Sequence, residues 1–214
     1  MYYFGYFFLA FISSLLLTFF VAILMRRLGI VDRPKTAVRK IHKKSIPLGG
    51  GLAIFLSFFL LIGSIIFFEE SPIASFHREL IGIFIGSLFL MIGGILDDRY
   101  ALPAIHQLWF PVAAVMAVLW SGIGPTEITN PFGGVIRLDQ WELSFALVFF
   151  WLMGMMFTTK LLDGLDGLAT GIVAIGALTI FFLSLQPAWY QPEVALLAVL
   201  FGGACLGFLV WNFH

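Results

Sequence analysis

Two aspartates three residues apart carry the first chemical signal. They are Asp163 and Asp166, in the stretch Leu161-Leu162-Asp163-Gly164-Leu165-Asp166-Gly167-Leu168. The stretch separates two long hydrophobic segments in a chain of 214 residues with only 12 acids. A charge near lipid costs roughly 2.5–3.5 kcal/mol on insertion scales, so such groups face a cavity, a metal or a counter-ion. This spacing lets both carboxylates share one helical face or one loop cavity. Carboxylates with water are the donors that Mg²⁺ prefers. The plainer reading is a pair of turn residues bonding beside their own glycines.

Two further clusters have chemical potential. In Gly93-Gly94-Ile95-Leu96-Asp97-Asp98-Arg99 two adjacent carboxylates end an apolar segment. Like charges side by side repel unless a cation stands by, and Arg99 is one candidate. A helix-end surface pair is the alternative. The third cluster is Arg39-Lys40-Ile41-His42-Lys43-Lys44-Ser45-Ile46-Pro47-Leu48-Gly49-Gly50-Gly51, a cationic run followed by proline and glycines that open a helix. Backbone N–H groups at Gly49 and Gly50, backed by Arg39, Lys40 and His42, suit phosphate. The same run also reads as an anchor for anionic lipid heads.

The elements that position these clusters are membrane spans. The chain is 61% hydrophobic and 11% charged, which excludes a soluble domain of this length and predicts an all-α polytopic membrane protein. Seven apolar segments read as spans, at about Tyr3–Met25, Leu48–Phe68, Ile81–Leu96, Ala104–Ser121, Leu143–Thr159, Leu168–Leu185 and Val194–Trp211. Several are short for a hydrocarbon core of about 30 Å, which favours a bundle packed around a site. Eight of the 12 Lys and Arg fall between Arg26 and Lys44, so that loop is expected inside and the N-terminus outside. Alternation then puts the loops near 97–103 and 160–167 inside with Arg99 and Lys160, leaving only Arg78 and Arg137 outside. The external segment 127–141 contains Asn130-Pro131-Phe132-Gly133-Gly134 between Ile128 and Val135-Ile136-Arg137-Leu138, which predicts a small β-hairpin. Pro111 is expected to kink the fourth span, and Gly202, Gly203 and Gly207 to allow close helix packing. Lone Cys205 in an apolar run offers neither a disulfide framework nor a cysteine metal site. With no repeat or linker, residues 1–214 read as one transmembrane domain.

The clusters in their order resemble a known family. Val31-Asp32-Arg33-Pro34, Arg39-Lys40-Ile41-His42, Pro47-Leu48-Gly49-Gly50, Asp97-Asp98, Asn130-Pro131-Phe132-Gly133-Gly134 and Asp163-Gly164-Leu165-Asp166-Gly167-Leu168 together look like the polyprenyl-phosphate N-acetylhexosamine-1-phosphate transferases. The first loop is more similar to the branch using UDP-N-acetylglucosamine than to the one using UDP-muramoyl-pentapeptide. The resemblance covers essentially the whole chain.

It implies transfer of a sugar-1-phosphate from a UDP-sugar to undecaprenyl phosphate at the cytoplasmic face of the inner membrane, releasing UMP. This would be the first lipid-linked step of a cell-envelope glycan such as teichoic acid or lipopolysaccharide. Mg²⁺, or Mn²⁺ in its place, is the implied cofactor. The family's paired aspartates would be Asp97 and Asp98, its later acidic motif Asp163 and Asp166, and its basic loop Lys40 and His42. The implied partners are the UDP-sugar, the polyprenyl phosphate and membrane lipid, with a homodimer compatible and nucleic acid not expected. A lipid phosphomonoester has a second pKa of roughly 6, by analogy with phosphoserine. It is therefore largely dianionic at neutral pH and barely needs a general base. A metal or electrostatic role for Asp98 is accordingly favoured over proton abstraction, with Asp163 and Asp166 as its fellow metal ligands.

Two departures stand out. Where the family commonly has asparagine three residues before its first Asp-Gly, this chain has Lys160, which would clamp a phosphate or pair with Asp163. In the family, a stretch like Trp211-Asn212-Phe213-His214 leads into another aspartate-bearing loop and a later histidine loop. The chain is therefore expected to be the N-terminal part of a longer domain, with an incomplete site. The competing classes are an ion- or proton-coupled transporter using intramembrane carboxylates, and a non-catalytic fragment or partner. A transporter would place its carboxylates in mid-span among broken helices.

Overall fold

The computed structural model describes residues 2–32, 46–68, 73, 76–138, 140–162 and 166–212. Among the described residues seven α-helices follow one another: α1 (Tyr2–Leu28), α2 (Gly50–Phe68), α3 (His77–Tyr100), α4 (Ala104–Trp120), α5 (Trp141–Leu162), α6 (Leu168–Ser184) and α7 (Pro192–Asn212). α1, α2, α3, α5 and α7 are long and apolar enough to cross a bilayer, while α4 and α6 are apolar helices of 17 residues. At 1.5 Å per residue, 17 residues reach about 25 Å, the lower limit for a span. The chain is thus an all-α polytopic membrane protein with a small β-hairpin.

Helices outrun their apolar runs at two chemically important ends. α3 continues through Asp97, Asp98 and Arg99 to Tyr100, and α5 continues through Lys160 to Leu162. Residues expected in loops are therefore helical. A helix satisfies its own backbone wherever it lies, so its hydrogen-bond ladder need not stop at the edge of the hydrocarbon.

The chain divides into two compact units. The first comprises Met1–Ser75, Gly94–Ala101 and Leu162–His214. α1 buries Tyr6, Ala10, Ser14, Thr18, Val21 and Met25, a stripe close to four-residue spacing. α7 meets α1 through Gly203 and Gly207. A Cβ on Gly203 would stand 2.6 Å from the Phe7 carbonyl oxygen, and one on Gly207 would strike that of Phe11. Further along the same parallel pair, the Trp211 indole N–H donates to the Leu15 carbonyl at 3.1 Å. Gly202 faces the other way, against Leu178 and Ala177 of α6. Small residues let two backbones approach in lipid, where the hydrophobic effect does not drive helices together.

In the same unit α1 ends in a Schellman motif. Gly29 adopts φ 73°, its N–H reaches the Arg26 carbonyl, and the Ile30 N–H reaches that of Met25 at 2.9 Å. Beyond it, β1 (Val31–Asp32) pairs antiparallel with β2 (Ile46–Pro47), Val31 opposite Pro47 and Asp32 opposite Ile46.

The second unit comprises Phe76–Gly93 and Leu102–Leu161. α3 lays Gly82 against Ser121, which caps α4, and Gly86 and Gly93 against Ala114 and Phe110 of α4, an antiparallel seam. The Arg78 guanidinium donates to the Trp120 carbonyl at 3.1 Å, satisfying an orphan group at the end of α4. The hairpin is present: β3 (Glu127–Thr129) pairs with β4 (Val135–Arg137), Ile128 opposite Ile136. Its turn is held by the Asn130 side chain, which accepts from the Phe132 N–H at 3.0 Å. α4 runs through Pro111 as one helix.

Candidate functional site

In the first unit, three chain ends share one apolar cluster. Val21, Met25 and Ile30 at the end of α1 and Ala53 in α2 are buried together. Leu48 just before α2, Leu52 in its first turn and Ile95 from the last turns of α3 pack against them. This packing brings the glycine-rich start of α2 beside the carboxylate end of α3. The Leu48 N–H also donates to the Ile30 carbonyl at 3.2 Å, extending the β1–β2 pairing to the helix start.

At that start each glycine has a local cause. Gly49 has φ 82°, a conformation that disfavours any side chain, and a Cβ there would lie 3.2 Å from the Met25 sulfur. A Cβ on Gly50 would run into the Phe208 ring of α7. Sterics thus account for both residues, and their backbone N–H groups still open α2.

Successive helical residues point about 100° apart, which separates the two adjacent aspartates. Asp97 is half-buried and Asp98 is exposed. Asp98 follows Ile95 by three residues, so it shares the face that packs on the α1 and α2 ends, one turn further on. The Arg99 guanidinium lies over the Tyr100 ring, 5.6 Å from its centroid. α3 closes on Ala101, whose N–H donates to the Asp97 carbonyl at 2.8 Å with φ 49°. This left-handed cap normally takes glycine.

Asp166 is exposed in the turn before α6. Gly167 caps that helix with φ 75° and accepts from the Gly171 N–H at 2.8 Å. The contact of Gly202 with Leu178 in a tight antiparallel hairpin puts the start of α6 level with the end of α7. Asp163 falls outside the described residues, as do Arg39, Lys40 and His42. Among the described residues no three His, Cys, Asp or Glu side chains converge on one point. Mg²⁺ retains several waters and takes one or two carboxylates. The oxygen donors Asp98 and Asp166, both exposed, are of the right type for it.

Lys160 lies in the second unit. Its ammonium donates to Oε1 of Gln107 at 2.6 Å, and the Gln107 Nε2 donates to the Leu102 carbonyl at 2.8 Å. Both side chains line a groove of about 660 Å³ between α4 and α5, with Ala104, Ile105, Leu108 and Phe157 among its apolar walls. Gln107 was not singled out in the sequence. Its one signal there is an amide inside the apolar run Ala104–Trp120.

The chain is similar to known proteins. Residues 80–214 match the family model described as Glycosyl transferase family 4. The chain is 31% identical over 209 residues to the probable undecaprenyl-phosphate N-acetylglucosaminyl 1-phosphate transferase of Bacillus subtilis (strain 168), covering 96% of this chain and 55% of that protein. It is 30% identical over 221 residues to the decaprenyl-phosphate N-acetylglucosaminephosphotransferase of Mycobacterium tuberculosis, covering 95% and 53%. A phospho-N-acetylmuramoyl-pentapeptide-transferase of Synechococcus sp. matches at 39% over 113 residues, covering 51% of this chain and 31% of that protein. The chain spans about half the length of the first two relatives.

Proposed function

Because the chain belongs to glycosyl transferase family 4, we propose that it serves transfer of N-acetylglucosamine-1-phosphate from UDP-N-acetylglucosamine to undecaprenyl phosphate. An oxygen of the lipid phosphate attacks the sugar-bearing phosphorus of the donor. The bond from that phosphorus to the bridging oxygen breaks, and UMP leaves with the bridging oxygen. The observation that carries this reading is the shared packing of Leu48, Leu52 and Ile95, which gathers the α2 start and the carboxylate end of α3 in one unit.

The residues divide the electrostatic work. Asp98, with Asp163 and Asp166, would hold Mg²⁺ (or Mn²⁺), which supplies charge neutralisation at the phosphoryl oxygens when bound. Asp97, half-buried beside Asp98 in sequence, is read as a catalytic carboxylate with Asp98, Asp163 and Asp166. Arg39, Lys40 and His42, which lie between Asp32 and Ile46 in the sequence, are read as cationic contacts for the diphosphate, with Gly49 and Gly50 as backbone donors. Lys160, three residues before Asp163 in the sequence, is read as a phosphate-binding residue. The phosphomonoester nucleophile, with a second pKa of roughly 6, attacks without a side-chain base. The positive-inside distribution supports a cytoplasmic orientation of this face, and an inner-membrane location belongs to the same reading.

Transport is the weaker reading. The described carboxylates Asp97 and Asp98 sit in the last turns of α3, and the helices run unbroken among the described residues. The deciding experiment is equilibrium binding of labelled UDP-N-acetylglucosamine to the chain in nanodiscs, with and without Mg²⁺. Saturable binding that requires the cation supports the transferase reading. Its absence, with cation flux in proteoliposomes, overturns it.

A further inference from the structure

We propose that the β3–β4 hairpin is an interfacial lipid-binding element. Its Ile128–Ile136 face and its Phe132 tip insert among the head groups and upper acyl chains, at the bilayer face where α4 ends and α5 begins. This goes beyond the transferase reading and does not depend on it.

The two helix ends fix the level. Trp120 is the last residue of α4 and Trp141 the first of α5, and both indoles are exposed. An indole has an apolar body and a polar N–H, so it settles at the head-group level and marks the edge of hydrocarbon. The hairpin is tied to that level at its root. The Ser144 hydroxyl, in the first turn of α5, donates to the Pro125 carbonyl at 2.9 Å. The Leu138 N–H donates to the Thr126 carbonyl at 2.8 Å, extending the ladder by one pair.

The strand register then sorts the side chains. Ile128 stands opposite Ile136, whereas Glu127 pairs with Arg137 and Thr129 with Val135. Opposite residues share a face of the ribbon and successive ones alternate. One face therefore carries Ile128, Ile136 and, two residues on, Leu138. The other carries Thr129, Val135 and the Glu127–Arg137 ion pair, 3.9 Å apart. Leu138 is buried while Ile136 is exposed, so the apolar face is covered by protein at its root and bare beyond it. At the tip Phe132 is 99% exposed, on a turn held by the Asn130 side chain.

Continuity selects the occupant. The surface that adjoins the root is the lipid around the spans, and apolar side chains at a head-group boundary gain by entering it. Both charges lie on the opposite face and pair with each other, so the apolar face enters without burying a charge. The reach sets the posture. Seven residues from Pro125 to Phe132 extend to at most about 23 Å, whereas the head-group layer is only about 5–8 Å thick on each side. A tip that stays in that layer requires the hairpin to lie along the bilayer surface.

The test puts a spin label on single cysteines of the 214-residue chain, in a Cys205→Ala background, in nanodiscs of phosphatidylcholine and phosphatidylglycerol. It compares collision with oxygen, which partitions into lipid, against collision with a water-soluble nickel chelate. Positions 129, 132 and 136 are all exposed, so the labels leave the packing intact. Labels at Ile136→Cys and Phe132→Cys are expected to show an oxygen-to-nickel ratio at least about threefold above that at Thr129→Cys. Adding Phe132→Asp to Ile136→Cys should bring its ratio down to the Thr129 value, because a carboxylate at the tip disfavours insertion. Equal ratios at the three positions would overturn the proposal and put the hairpin in water. Low collision with both reagents at position 136 would also overturn it, marking a face covered by a second copy or another protein. A ratio at position 136 that ignores Phe132→Asp would remove the tip from the lipid-binding element.

Discussion

α7 and α5 are nearly equal in length, 21 and 22 residues, and both are apolar enough to span a bilayer, yet 56% of the α7 span is buried and only 6% of α5. The difference lies in side-chain size. α7 carries Ala195, Ala198, Gly202, Gly203, Ala204 and Gly207 along its buried surfaces, and α1 and α6 close on them. α5 carries Phe149, Phe150, Trp151, Met155 and Phe157. Large side chains hold neighbouring backbones apart and leave grooves, one of which contains Lys160 and Gln107. In lipid, hydrophobicity decides that a helix inserts, and small residues decide what it packs against.

The most direct way to break this contrast is Gly207→Leu. Its Cβ would meet the Phe11 carbonyl, which belongs to a helix backbone and cannot rotate aside. Overpacking of this kind costs about 1–3 kcal/mol or more. The expected outcome is a large drop in the thermal midpoint in detergent, together with loss of the contact between Trp211 and Leu15. An unchanged midpoint would mean that α1 and α7 do not pack in this way.

A second variant separates packing from chemistry within the same unit. Asp98 is exposed at the end of α3, so Asp98→Asn should leave the thermal midpoint within about 1 °C, as surface changes generally do. It should weaken Mg²⁺-dependent UDP-N-acetylglucosamine binding by more than about tenfold, and raising the pH above 7 should not restore it. Recovery at high pH with unchanged Mg²⁺ dependence would instead make Asp98 a proton acceptor.

Much of this organisation is legible in the sequence because lipid imposes it. Each of the seven helices shows as an apolar run, since a spanning segment has no other way to be stable. The hairpin shows through Asn130-Pro131-Phe132-Gly133-Gly134, and the packing role of Gly202, Gly203 and Gly207 through their spacing. The helical ends at Asp97–Tyr100 and Lys160–Leu162 escape because polarity marks the edge of hydrocarbon, whereas hydrogen bonding marks the end of a helix. The β1–β2 pair is too short to show a period of two. Gln107 and Lys160 meet across 53 positions of sequence, a pairing that only the folding of α4 against α5 creates.

A smaller effect is expected at the two left-handed helix ends of the first unit. α1 ends on Gly29 at φ 73°, and α3 uses the same device with Ala101 at φ 49°. Alanine pays roughly 1–2 kcal/mol for this conformation, and glycine regains it less the freedom it adds to the unfolded chain. Ala101→Gly should therefore stabilise by about 0.5–1 kcal/mol, seen as a raised thermal midpoint. A lowered midpoint would show that the Ala101 methyl contributes packing that outweighs its backbone strain.

The smallest change returns to α5. A Cβ on Gly154 would meet nothing within 4 Å, in contrast to Gly207 on α7. Gly154→Ala removes a poor helix former from a helix interior, an exchange worth up to about 1 kcal/mol in water. In a span whose backbone is already hydrogen-bonded within the helix, the gain should be smaller, within about 0.5 kcal/mol. The difference between Gly154→Ala and Gly207→Ala, measured under identical conditions, isolates the steric term from the conformational one. Equal and small effects would remove close packing as the cause of the α7–α5 contrast. A near-neutral Gly154→Ala beside a strongly destabilising Gly207→Ala would assign the contrast to backbone approach, since the two substitutions add the same methyl group to the same kind of helix.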